Sequence, residues 1–230
     1  MGFTLDKVVP WGRSFEEYCA MFNLSESDLA GQLLGCGDGP ASFNASLTRQ
    51  GGSMVSVDPI YTFSAHEIQE RIDETYETVI GQARRNMEDF IWDRIASPEA
   101  LGRIRMQAMT EFLADYPAGL EEGRYVAGAL PELPFPDRQF DLAVCSHFLF
   151  LYSEQLTEDF HVESIRELCR VAREVRIFPT LEFGAQESRH LQAVTDRLLN
   201  GNHSVSVEIV PYEFQKNGNR MMSVRRTDAR

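Results

Sequence analysis

Residues 31–58, GQLLGCGDGPASFNASLTRQGGSMVSVD, decide how this chain is read. An apolar run reaches three glycines at alternate positions, Gly35, Gly37 and Gly39. A helical stretch follows, and a second apolar run ends on Asp58. That order predicts a strand, a tight glycine turn, a helix and a second strand closed by a carboxylate, the entry half of a nucleoside-binding α/β unit.

The glycine spacing separates candidate ligands. A dinucleotide fingerprint has its third glycine at the sixth position, where the helix starts close to a pyrophosphate. Here that position is Pro40, which also lacks a backbone N–H for an anion. Glycine still lets bare backbone approach a ligand, so a nucleoside without a pyrophosphate fits better. Asp58, at the end of the second strand, can accept hydrogen bonds from both hydroxyls of a ribose.

Residues 124–152, RYVAGALPELPFPDRQFDLAVCSHFLFLY, add a strand, a turn-rich LPFPD loop and a strongly apolar strand starting at Phe140 and Asp141. With these segments the chain resembles the class I S-adenosylmethionine-dependent methyltransferases. LLGCGDG stands as the glycine loop, VSVDPIY as the ribose-binding strand end, and LPFPDRQFDLAVCSHFLF as the adenine-side loop and fourth strand. The resemblance covers roughly residues 24–180. It implies a Rossmann-like α/β fold: a seven-stranded, mostly parallel sheet with an antiparallel last strand and helices on both faces.

By the same resemblance Gly35, Cys36, Gly37 and Gly39 line the methionine and ribose part of S-adenosylmethionine or its product S-adenosylhomocysteine. Asp58 holds the ribose hydroxyls, Pro59 or Ile60 flanks the adenine, and Ala129 and Leu130 contact its ring. Ser146 and His147 face the sulfonium and the methyl acceptor. Two positions depart from the family pattern: Leu33 and Ala129 stand where acids are usual. Arg13 for the cofactor carboxylate, and Asp38 or Glu16 for its ammonium, are the nearby substitutes.

Composition fits one globular enzyme domain across residues 1–230: 43% of residues are hydrophobic. No apolar run approaches the roughly 18–20 residues that cross a bilayer, and the first 15 residues carry no signal-peptide block, so the expectation is a cytoplasmic protein without a membrane partner. A net charge of −13 disfavours nucleic acid as substrate. Cys19, Cys36, Cys145 and Cys169 show neither zinc-site nor disulfide spacing and read as reduced, mostly buried thiols, with no metal expected.

Between the second and third strands lies an insertion at about 62–120, far longer than a simple crossover. Ser64 with Glu67 opens a helix running towards Trp92, and Ser97-Pro98-Glu99 opens a second that runs to Tyr116, with Pro117 and Gly119 as stops. Two long helices on the ligand edge of the sheet are expected. They carry Arg84, Arg85, Arg94, Arg103 and Arg105, which either recognise an anionic small-molecule acceptor under a helical lid or pair with nearby Glu70, Glu88, Glu99 and Asp93. These helices also offer a homodimer contact.

Ser14 and Glu17 make a capping box for SFEEYCAMF, where Trp11, Arg13 and Tyr18 cluster. A fifth strand is expected around 175–179. Lys216-Asn217-Gly218 marks a hairpin between SVSVEIVPYEF and NRMMSVRR. His147 is the candidate general base, or alternatively a hydrogen-bonded cap of the strand end; Tyr152 and His66 are weaker candidates. Phe148, Phe150 and Tyr152 line an acceptor pocket or fill the core, and His161, His190 and His203 read as surface residues. The chemistry implied is methyl transfer to a small molecule. The alternatives are a sensor that binds S-adenosylmethionine or S-adenosylhomocysteine without turnover, and a nicotinamide enzyme that Pro40 opposes.

Overall fold

A computed structural model describes residues 9–227. Its main sheet comprises β1 (Gln32–Cys36), β2 (Ser53–Val57), β3 (Tyr125–Val126), β4 (Phe140–Ser146), β5 (Ala172–Phe178), β8 (His203–Ile209) and β9 (Arg220–Arg226). A separate two-stranded ribbon holds β6 (Leu181–Glu182) and β7 (Gln186–Glu187). The main sheet runs β3-β2-β1-β4-β5-β9-β8, and β9 is antiparallel to both neighbours. This is the Rossmann-like, mostly parallel sheet with an antiparallel last strand that the sequence predicts. Strand order reverses between β1 and β4, so a crevice opens at their carboxyl ends.

The helices are α1 (Phe15–Met21), α2 (Glu26–Leu29), α3 (Phe43–Arg49), α4 (Ala65–Arg85), α5 (Pro98–Glu121), α6 (Glu158–Val171) and α7 (Leu191–Leu199). Alternation along β1 explains why both sheet faces need cover. Leu34 and Cys36 join the core beneath α6 and α7, and Leu33 joins the core beneath α1 and α3. In the second core Tyr18 stacks on Phe43 with ring centroids 4.7 Å apart. The capping boxes Ser14–Glu17 and Ser64–Glu67 are both formed, and Ser97 caps α5 through the Ala100 N–H at 3.2 Å.

Several expectations about the insertion need correction. α4 stops at Arg85, short of Trp92, because the chain turns through Met87–Asp89 so that Phe90 can stack on Phe214 at 4.9 Å. α5 continues past Pro117 and Gly119 to Glu121. Pro117 sits on the exposed side, where water can take the carbonyl it leaves unpaired. Gly119 serves packing rather than termination, since a Cβ there would lie 2.3 Å from Tyr125 Cε2. The true stop is Gly123, at φ +73.

The two inserted helices also differ in duty. α5 covers the sheet edge through Phe112 and Tyr116, packed on Tyr125, and lends Leu101 and Arg105 to the ligand edge, whereas α4 borders that edge along much of its length. The expected turn at Asn217 and Gly218 is present, but the paired strands end at Ile209 and resume at Arg220. It therefore lies within a long connection rather than a tight hairpin. His161 is fully buried, contrary to its surface reading, because both ring nitrogens find carbonyls: Thr157 O at 2.7 Å and Leu149 O at 3.0 Å. His190 and His203 are half-buried. Among the described residues no helix is long and apolar enough to cross a membrane.

Candidate functional site

The glycine loop after β1 is pinned to the end of β2. Gly37 donates to Val57 O at 2.9 Å, and Gly37 and Gly39 adopt φ +67 and +53, which glycine accepts without steric cost. Asp58 completes the join: one carboxylate oxygen accepts the Gly39 N–H at 2.9 Å and the other the Ile60 N–H at 2.9 Å. Each oxygen keeps a free lone pair for a further donor. Burial pushes this carboxyl up, against the two backbone N–H groups that favour its ionised form.

Asp38 is tucked beneath the loop. It accepts from the Tyr18 hydroxyl at 2.8 Å and from Ser56 Oγ at 2.7 Å, and burial pushes its carboxyl up to about 7. Gly35 makes room for it, because a Cβ there would lie 1.8 Å from Asp38 Oδ2. Gly35 therefore faces the Asp38 side chain and Met54, while its neighbours in the motif face a cavity.

That cavity, of ≈ 650 Å³, opens at the carboxyl ends of β1, β2 and β4. Cys36, Gly37, Gly39, Asp58, Pro59, Ile60, Ala129, Leu130, Ser146 and His147 all line it. The sequence scattered these residues over four segments, and the fold brings them to one hollow. Leu33 is buried in the core and turned away. Glu16 is exposed and bonded to Ser14 at 2.9 Å, which removes it as an ammonium partner. His66 is likewise exposed, paired with Glu70 at 3.6 Å, and Phe150 is core, whereas Phe148 and Tyr152 line the cavity.

His147 takes φ +51 at the strand end, its N–H held by Phe178 O at 2.6 Å and its Nδ1 2.9 Å from Ser146 Oγ. Burial, then the charges of Arg13 and Arg105, hold its imidazole well below the usual histidine range. It is therefore neutral at physiological pH. With Nδ1 donating to Ser146, Nε2 can accept a proton.

Of the five arginines singled out in the insertion Arg105 reaches the cavity, as does the exposed Arg71 of α4; Arg84, Arg85, Arg94 and Arg103 are exposed, and Arg84 pairs with Glu99 at 3.0 Å. Arg105 forms a two-pronged bond to Glu17, one prong at 2.7 Å, and Tyr212 donates to the same carboxylate at 2.9 Å. Burial alone would raise the Glu17 carboxyl, yet Arg105 holds it down to about 2. Arg13 stands beside this group and bonds the Trp11 carbonyl at 3.1 Å. Burial, and then Arg105, bring its guanidinium down to about 10.

The outer cavity is apolar, walled by Trp11, Ile68, Val79, Phe90, Phe183 and Phe214. Phe214 and Tyr212, from the connection between β8 and β9, were not legible as site residues; no local motif marks them. All four cysteines are free. Among the described residues no group of three or more His, Cys, Asp or Glu side chains converges as metal ligands would.

The sheet and its edge cavity define a Rossmann-like α/β protein with a nucleoside-type crevice. No protein-family model matches the chain. It is 32% identical over 223 residues to the uncharacterized protein MJ0045 of Methanocaldococcus jannaschii, covering 96% of this chain and 98% of that one, and it belongs to the same family. Similar solved structures include magnesium protoporphyrin IX methyltransferase (ChlM) from Synechocystis PCC 6803 with bound SAM, 13% identical over 93% of this chain and 78% of that one, with a TM-score of 0.47. Another is a SAM-dependent methyltransferase from Aquifex aeolicus, 15% identical over 91% and 87% of the two chains, with a TM-score of 0.44.

Proposed function

We propose that this protein is an S-adenosylmethionine-dependent methyltransferase acting on a small-molecule acceptor. The observation that carries the reading is Asp58. Its two oxygens are fixed by the Gly39 and Ile60 N–H groups at the rim of a glycine loop, with lone pairs left for two adjacent hydroxyls. A ribose presents such a pair, and a loop with Pro40 in place of a third fingerprint glycine suits a nucleoside without a pyrophosphate.

In this reading Gly37 and Gly39 pass beside the ribose and methionine, Pro59 and Ile60 flank the adenine, and Ala129 and Leu130 lie against its ring. Arg13 receives the amino-acid carboxylate. The cofactor supplies an activated methyl group. The acceptor's electron pair forms the new bond to that carbon, the carbon–sulfur pair returns to sulfur to leave the neutral thioether, and a protic acceptor loses its proton. His147 is placed to take that proton at Nε2, which burial and two guanidiniums keep unprotonated while making the imidazole a weak base. The protein's remaining work is alignment at about 3–3.5 Å and exclusion of water, for which the walls built by α4 and the β8–β9 connection are suited.

The same reading takes the chain as one methyltransferase-like domain in the cytoplasm, supported by its four free thiols, and treats the exposed Phe63 and Met87 flanking α4 as a homodimer contact. Calorimetric titration with S-adenosylmethionine, S-adenosylhomocysteine and NAD tests the cofactor, and release of S-adenosylhomocysteine on addition of acceptor pools tests the activity. Preference for NAD would refute the reading. Tight cofactor binding without turnover would favour the sensor.

A further inference from the structure

Arg13 and Arg105 face one cavity; Glu17 bonds Arg105 and acts on Arg13 through its charge alone. Arg105 is 1% exposed, and its Nε, like that of Arg13, is buried without a hydrogen-bond partner. Buried guanidinium donors are normally filled, so these two residues of the cavity wall carry bonding capacity that the chain itself leaves unused.

Charge points the same way. The cofactor of the proposed function, on which this inference rests, brings one carboxylate but two cations, its ammonium and sulfonium. Glu17, held ionised by Arg105, is the acid beside the two arginines, while burial raises the carboxyls of Asp58 and Asp38, that of Asp38 to about 7. The loaded site therefore keeps an excess of positive charge in a low-dielectric hollow, where an unbalanced charge is costly. Glu67, Glu70 and Glu74 of α4 also border the cavity, but at its exposed rim, where water and salt screen them.

We propose that the methyl acceptor is a carboxylic acid with an apolar body, its carboxylate drawn to the Arg105 guanidinium while Arg13 keeps the cofactor's carboxylate, and its body lying among Trp11, Phe90, Phe183 and Phe214. Planar guanidinium forks match a carboxylate in shape as well as charge. The aromatic wall then sets the orientation of the apolar part, and the carboxylate fixes its depth relative to the sulfonium.

The test is titration of the full-length protein, loaded with S-adenosylhomocysteine, against matched probes: 2-naphthoate with 2-naphthamide, 4-phenylbutyrate with 4-phenylbutyramide, and phenyl phosphate. At least one carboxylate should bind roughly ten-fold or more tighter than its amide, and tighter than phenyl phosphate. That ratio should fall to about two-fold or less in Arg105→Met. It should widen in Glu17→Gln, which keeps both guanidiniums and removes the charge that competes for the Arg105 donors, so the result does not depend on the stability of the arginine variant. Equal binding of every acid and amide, preference for the phosphate, or a ratio unmoved by Glu17→Gln would overturn the proposal. S-adenosylhomocysteine titrated alone reports separately on the cofactor: a protein that ignores it yet still selects carboxylates would keep the anion site and lose the methyltransferase reading.

Discussion

Arg105 on α5 and Glu17 on α1 form a buried, two-pronged ion pair that ties the insertion to the N-terminal helix, with the Tyr212 hydroxyl as a third member. Removing one partner leaves the other charge buried and unpaired. Arg105→Met should therefore cost about 3–5 kcal/mol of stability. Adding Glu17→Gln, which retains the capping geometry of α1, should recover much of that loss. Denaturant unfolding of both variants checks this, and a double variant no more stable than Arg105→Met would contradict it.

Asp38 supplies a pH signature. Its folded-state carboxyl is raised from 3.8 to about 7 by burial, so the folded protein holds a proton that the unfolded chain releases near pH 4. Stability from this group is full below pH 4, falls as pH rises towards 7, and is lost above. The slope is about 1.4 kcal/mol per pH unit and the total roughly 4 kcal/mol. Asp38→Asn abolishes the loss, so its stability relative to the parent should climb between pH 4 and pH 7 and then level off. Parallel unfolding curves for the two proteins across that range would show the assignment to be wrong.

The glycines of the loop are not equivalent. A methyl on Gly35 would collide with Asp38 Oδ2 at 1.8 Å and Met54 Cε at 2.4 Å, whereas one on Gly39 meets nothing within 4 Å and costs only the strain of φ +53. Gly35→Ala should destabilise by about 1–3 kcal/mol through overpacking. Gly39→Ala should cost about 1–2 kcal/mol through backbone strain. Only Gly35→Ala should also shift the Asp38 titration, which carboxylate NMR would detect.

His147 bears on turnover. Because burial and the two arginines keep its imidazole neutral, the activity profile should show no ionisation from this group between pH 6 and pH 8. His147→Gln should slow transfer about 10²-fold or more if the imidazole takes the acceptor proton. Unchanged turnover would assign the His147 side chain to capping the strand end through its bond to Ser146.

What the sequence made legible was local. Apolar runs and glycine spacing specify β1, β2 and the loop between them, and Ser14–Glu17 and Ser64–Glu67 announce their helix starts because each capping box closes within four residues. What stayed hidden depends on distant partners. The Glu17 pairings span 88 residues to Arg105 and 195 to Tyr212, and no local pattern encodes them. Gly119 read as a stop until Tyr125 packs against it, Pro117 until its place on the exposed side of α5 is seen, and His161 read as surface until two carbonyls enclosed it.

The most direct measurement is calorimetric titration of S-adenosylmethionine into the parent protein and its Asp58→Ala variant. Loss of a carboxylate that accepts both ribose hydroxyls should weaken binding about ten-fold or more, with the fold retained by circular dichroism. A parent protein that does not bind the sulfonium compound, or a variant that binds it equally well, would contradict the account at its root.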